Sequence, residues 1–491
     1  MRINDLIKHT SVRLIDRRLS RTRELTPTAS ADGCDGRLLF AYKRVGGGYN
    51  TFPHELRAKP YAVVCEPDYA KEVRDTPLII VDDPRAALAH ALYLHNEVDK
   101  CGLKLIAVTG TNGKTTTATL LSSILNHAGI PCGRIGTGAI YSRETRLSDA
   151  DYTMTTPDPE LLYPSLKRMA EDGCAAAVIE ASSHSIALRK LAPLTFERGI
   201  FTNLSHEHGD FHPTMEDYYL AKESLFKSCR GGIFNIDDEY SERAYNARLT
   251  ESTSVGIVNR GEVYATDIEP LGELGSRFNY RQEGLISRVE IGLPGAFNIY
   301  NATMAMCCAI ELGVSPKDAK DGLASVNTVD GRMEKIHSEP IVIIDYAHTP
   351  QAMENALKTL KKRLKPRQRL ISVFGCGGNR DKSKRPMMAR ASERYADLTV
   401  LTSDNSRDED ADIILRDAEA GFAAPESYVL VPDRKEAIEY ALTSADRGDI
   451  VAILGKGHER YIIDGGGKRH FDEREIVKHF YSERRGEVKR E

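Results

Sequence analysis

The sequence predicts an α/β protein of three units: a smaller N-terminal α/β unit, a central unit holding a phosphate-binding loop, and a C-terminal doubly wound unit. Three observations carry this. At 491 residues the chain exceeds what one hydrophobic core serves. Short apolar runs alternate with segments of helical spacing, the pattern of parallel sheets covered by helices. The run Leu105–Thr117, LIAVTGTNGKTTT, reads as a buried strand, a tight loop and a helix start.

Residues 1–100 make the first unit. Leu38–Tyr42, Ala62–Cys65 and Leu78–Val81 are strand-like, and Pro84–Asn96 has helical spacing before a break at Asp99–Gly102. The second unit, 101–333, opens with the loop. Ala175–Glu180, Gly199–Asn203 and Gly232–Asn235 suit strands buried on both faces. Between Ser252 and Gly292 the pattern changes to polar-alternating strands, which predicts an antiparallel insertion, and a helix follows from Asn298 to Leu312. The third unit, 334–491, has strands at Ile341–Asp345, Leu370–Phe374, Leu398–Leu401 and Ile450–Leu454. Each ends in a polar or glycine-rich loop, where ligands of open α/β sheets gather. The stretch Glu483–Glu491 mixes bases with acids and predicts a solvated helix end.

Lys plus Arg is 67 and Asp plus Glu is 71, a net charge of −4 without a basic stripe, so nucleic acid is not expected as a partner. The nine cysteines form no CxxC pair, and Cys307-Cys308 lies in an apolar helical run, as buried thiols do. Met1–Leu14 lacks the apolar block of a signal peptide, and no apolar run approaches the ~20 residues a membrane helix needs. The expected setting is the cytoplasm, with no membrane insertion.

In the loop itself, backbone N–H groups at the helix start form an anion cradle, aided by the helix dipole. Lys114 can reach terminal phosphates and the Thr115 hydroxyl can hold Mg²⁺. The spacing is the shortened GxxGKT, because Val108 stands where the longer loop has its first glycine. Acids and imidazoles follow the next strands. Glu180 ends AAAVIE, and a charge directly ending an apolar strand is costly without a role. Asn203–His212 carries His206, His208 and His212. A carboxylate and imidazole there suit Mg²⁺ shared with phosphates, while a zinc site on the three histidines is the alternative. In the third unit, Arg380 and Arg407 can bind carboxylates through bidentate forks and Glu459 can accept an ammonium, which suggests a zwitterionic substrate.

In order across residues 105–459 stand VTGTNGKTTT, EASSH, FTNLSHEHGDFH, YYLAKESLF, LPGAFNIYNATMA, GRME, DYAHTP, GCGGNRDKSKRP, TSDN and GKGHE. With these the chain resembles the Mur ligases of peptidoglycan assembly, most closely the branch that adds a diamino acid to a UDP-N-acetylmuramoyl-dipeptide. The resemblance is strong over the central and C-terminal units and weak over the first hundred residues. It implies three domains, with a P-loop ATPase-like centre and a Rossmann-like C-terminal domain, acting as a monomer. It also implies ATP-dependent amide formation through an acyl-phosphate.

By position, the resemblance assigns Gly110, Thr111, Asn112, Gly113, Lys114, Thr115 and Thr116, with Asn298, Asn301, Arg332 and Asp345, to ATP. It assigns Thr115, Glu180, His208 and Lys222 to metal, with Lys114, Glu180, His208 and Lys222 as the catalytic set. Lys222, in HPTMEDYYLAK, matches the lysine such ligases carbamylate, which would turn an ammonium into a carboxylate-like ligand (N6-carboxylysine). The muramoyl dipeptide falls to Ser30, Thr155, Thr156, Ser182 and Lys190. The incoming amino acid falls to Arg380, Asp404, Asn405, Arg407, Gly455 and Glu459. Arg407 in DNSR matches the arginine that pairs with the distal carboxylate of meso-diaminopimelate.

Four departures stand out. Ser406 replaces a proline that would stiffen its loop. Asp330 precedes GRME where proline is usual, Lys190 stands for an arginine, and the DSR triplet of the uridine-binding domain is absent. L-lysine or another diamino acid, a non-muramoyl acceptor, and a catalytically silent binding or scaffold protein are the alternatives.

Overall fold

A computed structural model describes residues 1–45, 47–52, 54, 56, 58–147, 154–205 and 211–487, with side chains to Glu483. Among these residues the strands form three main sheets and one ribbon. The first sheet contains β1 (Val12–Ile15), β2 (Pro27–Thr28), β3 (Leu38–Phe40), β4 (Ala62–Cys65) and β5 (Leu78–Val81), ordered β1-β5-β4-β3-β2. Its covering helix, Pro84–His95, starts as its sequence dictates: Pro84 sits at the first turn and the Asp83 carboxylate caps Ala86 N–H.

The central sheet runs from β6 (Lys104–Thr109) through β7 (Cys132–Gly136), β8 (Ala139–Ser142), β9 (Thr145–Arg146), β10 (Ala176–Glu180), β11 (Phe196–Phe201), β12 (Cys229–Asn235), β13 (Glu251–Gly256), β14 (Val263–Leu271) and β15 (Gly275–Gln282) to β16 (Leu285–Ile291). Its order is β16-β15-β14-β13-β12-β11-β6-β10-β7-β8-β9, with β6 parallel to both β10 and β11. The chain order reverses at β6, so a crevice opens at its carboxyl end, where the phosphate loop begins. β10 is wholly buried, as its run of apolar residues requires. One apolar cluster extends from the first sheet into one face of this sheet; a second fills the other face around helices Lys114–His127 and Ala296–Glu311.

The antiparallel insertion expected over Ser252–Gly292 begins later. β13 is still parallel to β12, and β14, β15 and β16 alone form the antiparallel extension. The polar residues of β13 disguise an inner, half-buried strand because partners meet their hydroxyls. Thr253 Oγ1 donates to Glu311 at 2.7 Å and Ser254 Oγ to Glu262 at 2.8 Å.

The third sheet contains β17 (Glu334–Ser338), β18 (Ile341–Asp345), β19 (Leu370–Phe374), β20 (Leu398–Leu401), β21 (Tyr428–Leu430) and β22 (Ile450–Leu454), ordered β17-β18-β22-β19-β20-β21. Because β22 returns between β18 and β19, the loops after β18, β22, β19 and β20 emerge side by side. All nine cysteines are free and all but Cys101 are buried. No described helix is long and apolar enough to cross a membrane. The C-terminal helix spans Glu473–Glu487.

Leu121, fully buried in the helix that carries the phosphate loop, packs into the second central cluster. Leu121→Ala is expected to lower unfolding stability by about 2–5 kcal/mol. The check is a shifted denaturant midpoint at unchanged slope.

Candidate active site

The phosphate loop is laced to the strand beside it. Thr111 N–H donates to Asn203 O at 2.8 Å, Asn112 N–H to the Asn203 side chain at 3.0 Å, and Thr202 Oγ1 to Asn112 O at 2.6 Å. Gly110, at φ +140°, is obligatory: a Cβ there would lie 1.9 Å from Thr202 Oγ1. Lys114 Nζ folds over the loop and donates to Gly110 O at 2.9 Å and Thr111 O at 2.8 Å. Lys222 Nζ, 1% exposed, donates to the same Gly110 carbonyl at 2.9 Å and lies 4.7 Å over the Tyr218 ring.

Glu180 ends β10 beneath the loop, 1% exposed. It accepts Thr115 Oγ1 at 2.9 Å, Thr137 N–H at 3.1 Å and Thr137 Oγ1 at 3.1 Å. Three donors answer the cost of burying this carboxylate. Gly136 makes room for it, since a Cβ there would sit 1.8 Å from Glu180 Oε1.

A cavity of about 1180 Å³ opens over the loop and is walled by the central and third sheets. Of the sequence-assigned residues, Thr111–Thr116, Thr155, Thr156, Ser182, Lys190, Lys222, Asn298, Asn301, Arg332, Asp345, Arg380, Asp404, Asn405, Arg407, Gly455 and Glu459 line it. Glu180 lies one layer behind, facing a second cavity of about 480 Å³ that shares Thr115 and Thr137. Gly110 is in the loop wall, and Ser30 is exposed in the loop after β2, outside the cavity. His206 and His208 fall outside the described residues, and with them the zinc alternative. Lys190 is turned to Asp158, 2.8 Å away, and to Thr156 O. Thr156 Oγ1 donates to Glu180 O at 2.7 Å, and Ser182 caps its helix through Ser185 N–H.

On the facing wall, Asp345 at the end of β18 accepts Met333 N–H at 2.7 Å and Ala347 N–H at 2.8 Å; burial nevertheless lifts its carboxyl above the ordinary value. Arg332 reaches Thr115 Oγ1 at 3.4 Å and stacks on Tyr346, whose ring lies 4.8 Å from that of His458. Asp330 pairs with Arg474 at 2.6 Å, and Arg474 also donates to Gly457 O at 3.1 Å, tying the joint between the walls to the GKGHE loop. Arg407 donates to Gly378 O at 2.7 Å. The position of Ser406 is fixed by burial, at 7% exposure, rather than by a stiff ring. For Asp404, burial works against ionisation, but Lys456 and Arg434 outweigh it and hold the carboxyl below its usual range. Lys456, Arg434, Thr137, Tyr346 and His458 were not singled out from sequence. Tyr346, Lys456 and His458 lie inside quoted motifs; nothing local marks Arg434.

Comparison with known proteins agrees with this geometry. The model of the Mur ligase middle domain matches residues 108–309, and that of the Mur ligase glutamate ligase domain matches residues 331–457. The chain belongs to the Mur ligase family. This Mur ligase is 38% identical, over 89% of its length and 91% of the relative's, to UDP-N-acetylmuramoyl-L-alanyl-D-glutamate--2,6-diaminopimelate ligase 1 of Clostridium acetobutylicum. It is 40% identical to the corresponding ligase of Aquifex aeolicus, over 90% of each chain. A solved diaminopimelate ligase of the same kind aligns over 99% of both chains at a TM-score of 0.67 and 28% identity.

Gly136→Ala is expected to push Glu180 off Thr115 and cut turnover about 10–100-fold while the protein still folds. Turnover alongside a thermal melt checks this. His458 gives a pH prediction. Burial, then Arg332 and Arg474, depress its imidazole to about 3. Between that value and the ordinary 6.5 the unfolded chain binds the extra proton, so stability falls as pH drops through this window. His458→Asn is expected to flatten the fall, read from melting temperatures at pH 4 to 7.

Proposed function

We propose that this Mur ligase joins meso-diaminopimelate to UDP-N-acetylmuramoyl-L-alanyl-D-glutamate at the expense of ATP, in peptidoglycan precursor synthesis in the cytoplasm. The observation that carries the reading is the convergence of Arg407, Glu459, Asp404 and Asn405 on one cavity wall opposite the phosphate loop. A guanidinium beside carboxylates suits a substrate that carries both carboxylate and ammonium groups. We assign residues 1–100, 101–333 and 334–491 to the UDP-substrate, ATP and amino-acid domains.

The loop amides and Lys114 would cradle the nucleotide phosphates, Lys114 exchanging loop carbonyls for phosphate oxygens. Asn298, Asn301 and Asp345 would hold the nucleoside end, and Arg332 would bridge the two walls at Thr115. The oxygen donors fit Mg²⁺: Thr115 Oγ1 and Glu180 are hard ligands 2.9 Å apart, and phosphate oxygens can complete the shell. Among the described residues no three His, Cys, Asp or Glu side chains converge on an all-protein metal site. When bound, it would neutralise charge on the transferring phosphoryl group. Lys222 would join these ligands as its carbamate, from a position already against the loop. The dipeptide carboxylate attacks the γ-phosphorus and ADP leaves. The free amine of the diamino acid then attacks the acyl carbon, and inorganic phosphate departs with the acyl oxygen. Enclosure between the walls keeps water from the acyl-phosphate. Thr155, Thr156 and Ser182 line the acceptor side.

The test is phosphate release from ATP with the UDP-muramoyl dipeptide plus meso-diaminopimelate, L-lysine or no amine. Turnover with diaminopimelate, and an Arg407→Ala variant that loses about 10–100-fold in kcat/KM for it, are expected. Equal turnover with lysine would overturn the amine assignment, and release that ignores every amine would overturn the ligase reading.

A further inference from the structure

Under the amine pocket lies an enclosed set of charges. Lys456 is 0% exposed, yet its Nζ stands 3.1 Å from Glu459 Oε2, 3.2 Å from Asn405 Oδ1 and 3.6 Å from Asp404 Oδ1. Asn405 is locked from two sides: its Nδ2 donates to the same Glu459 oxygen at 2.8 Å, and its Oδ1 also accepts Ile463 N–H at 2.8 Å. Deeper still, Arg434 pairs with Glu473 at 2.7 Å and reaches Asp404 at 4.0 Å. Two further N–H groups of this side chain donate to Ser403 O and Leu454 O, so it ties the ends of β20 and β22 together.

Arg434 and Glu473 balance each other. Lys456 and Arg407 stand against Asp404 and Glu459, so these six charged groups sum to zero at the cavity wall. Both hydrogen bonds to Glu459 engage Oε2; Oε1 has no protein partner among the described residues, and Glu459 lines the cavity. An ammonium arriving at Oε1 together with a carboxylate arriving at Arg407 leaves that balance unchanged.

Resting on the ligase reading above, we infer that Lys456 is a positioning and specificity-determining residue for the incoming diamino acid. Its buried ammonium orients Glu459 and Asn405 toward the substrate amine and keeps the pocket wall neutral. A zwitterion such as diaminopimelate satisfies that balance. Without the lysine, one excess negative charge remains, and the pocket turns toward amines of greater positive charge, such as L-lysine.

The experiment is steady-state phosphate release by the full-length enzyme and the variants Lys456→Met, Lys456→Arg, Glu459→Gln and Lys456→Met/Glu459→Gln. In Lys456→Met, KM for diaminopimelate is expected to rise about 10–100-fold. kcat at saturation should change far less, and KM for ATP and for the UDP-dipeptide should hold. The ratio of kcat/KM for diaminopimelate over L-lysine should fall, and Lys456→Arg should restore part of it. Because Lys456 acts through Glu459, the double variant should lose scarcely more than Glu459→Gln alone. That comparison stands even if Lys456→Met fails to fold, since the double variant removes one charge of each sign. Losses that multiply in the double variant, an unchanged amine ratio, or an equal rise in KM for ATP would overturn the inference. A wild-type enzyme with no amine-dependent turnover overturns the ligase reading, and this assignment with it.

Discussion

Parallel strands buried on both faces leave no room for charge along their length, so polarity collects at their ends. Glu180 is where that constraint is sharpest. Its carboxylate, buried at the end of β10, is stable only because Thr115 and Thr137 supply three hydrogen bonds. Those partners fix the first turn of the helix Lys114–His127 and the β7–β8 turn in one stroke. The phosphate loop then has one geometry, which Asn203 and Thr202 brace from the other side.

The third sheet repeats the arrangement with different chemistry. Asp345, Asp404 and the GKGHE loop all emerge at carboxyl ends of neighbouring strands because β22 inserts between β18 and β19. What faces the phosphate loop is therefore a row of charged turns. Arg332 and Arg474 couple the two walls, the first through Thr115 and Tyr346, the second through Asp330 and Gly457.

Much of this is legible in the chain. The buried strands of the third sheet are unbroken apolar runs with polar stops, and the expected bounds of β18, β19, β20 and β22 coincide with those observed. β13 was misread because hydroxyl-bearing residues look solvated until their partners, Glu311 and Glu262, are seen. Cavity-lining residues within glycine-rich motifs could be found from pattern and chemistry. Arg434 and Glu473 could not: a buried ion pair separated by 39 residues leaves no local periodicity, and in sequence both look like helix surface. Ser30, assigned by faint likeness to the UDP-substrate side, lies in the exposed loop after β2, outside this cavity.

The pose of Lys114 bears on how the cycle ends. Its ammonium already has two loop carbonyls as hosts, Gly110 O and Thr111 O. In the proposed cycle a departing nucleotide would leave behind no bare charge, because the lysine would fall back onto its own loop as the phosphates withdraw. The site thereby gives up affinity it could have had, since every contact to phosphate replaces one to a carbonyl. In that cycle the part of ADP affinity that Lys114 contributes would be only the difference between the two sets, and the loop would keep its shape for the next ATP.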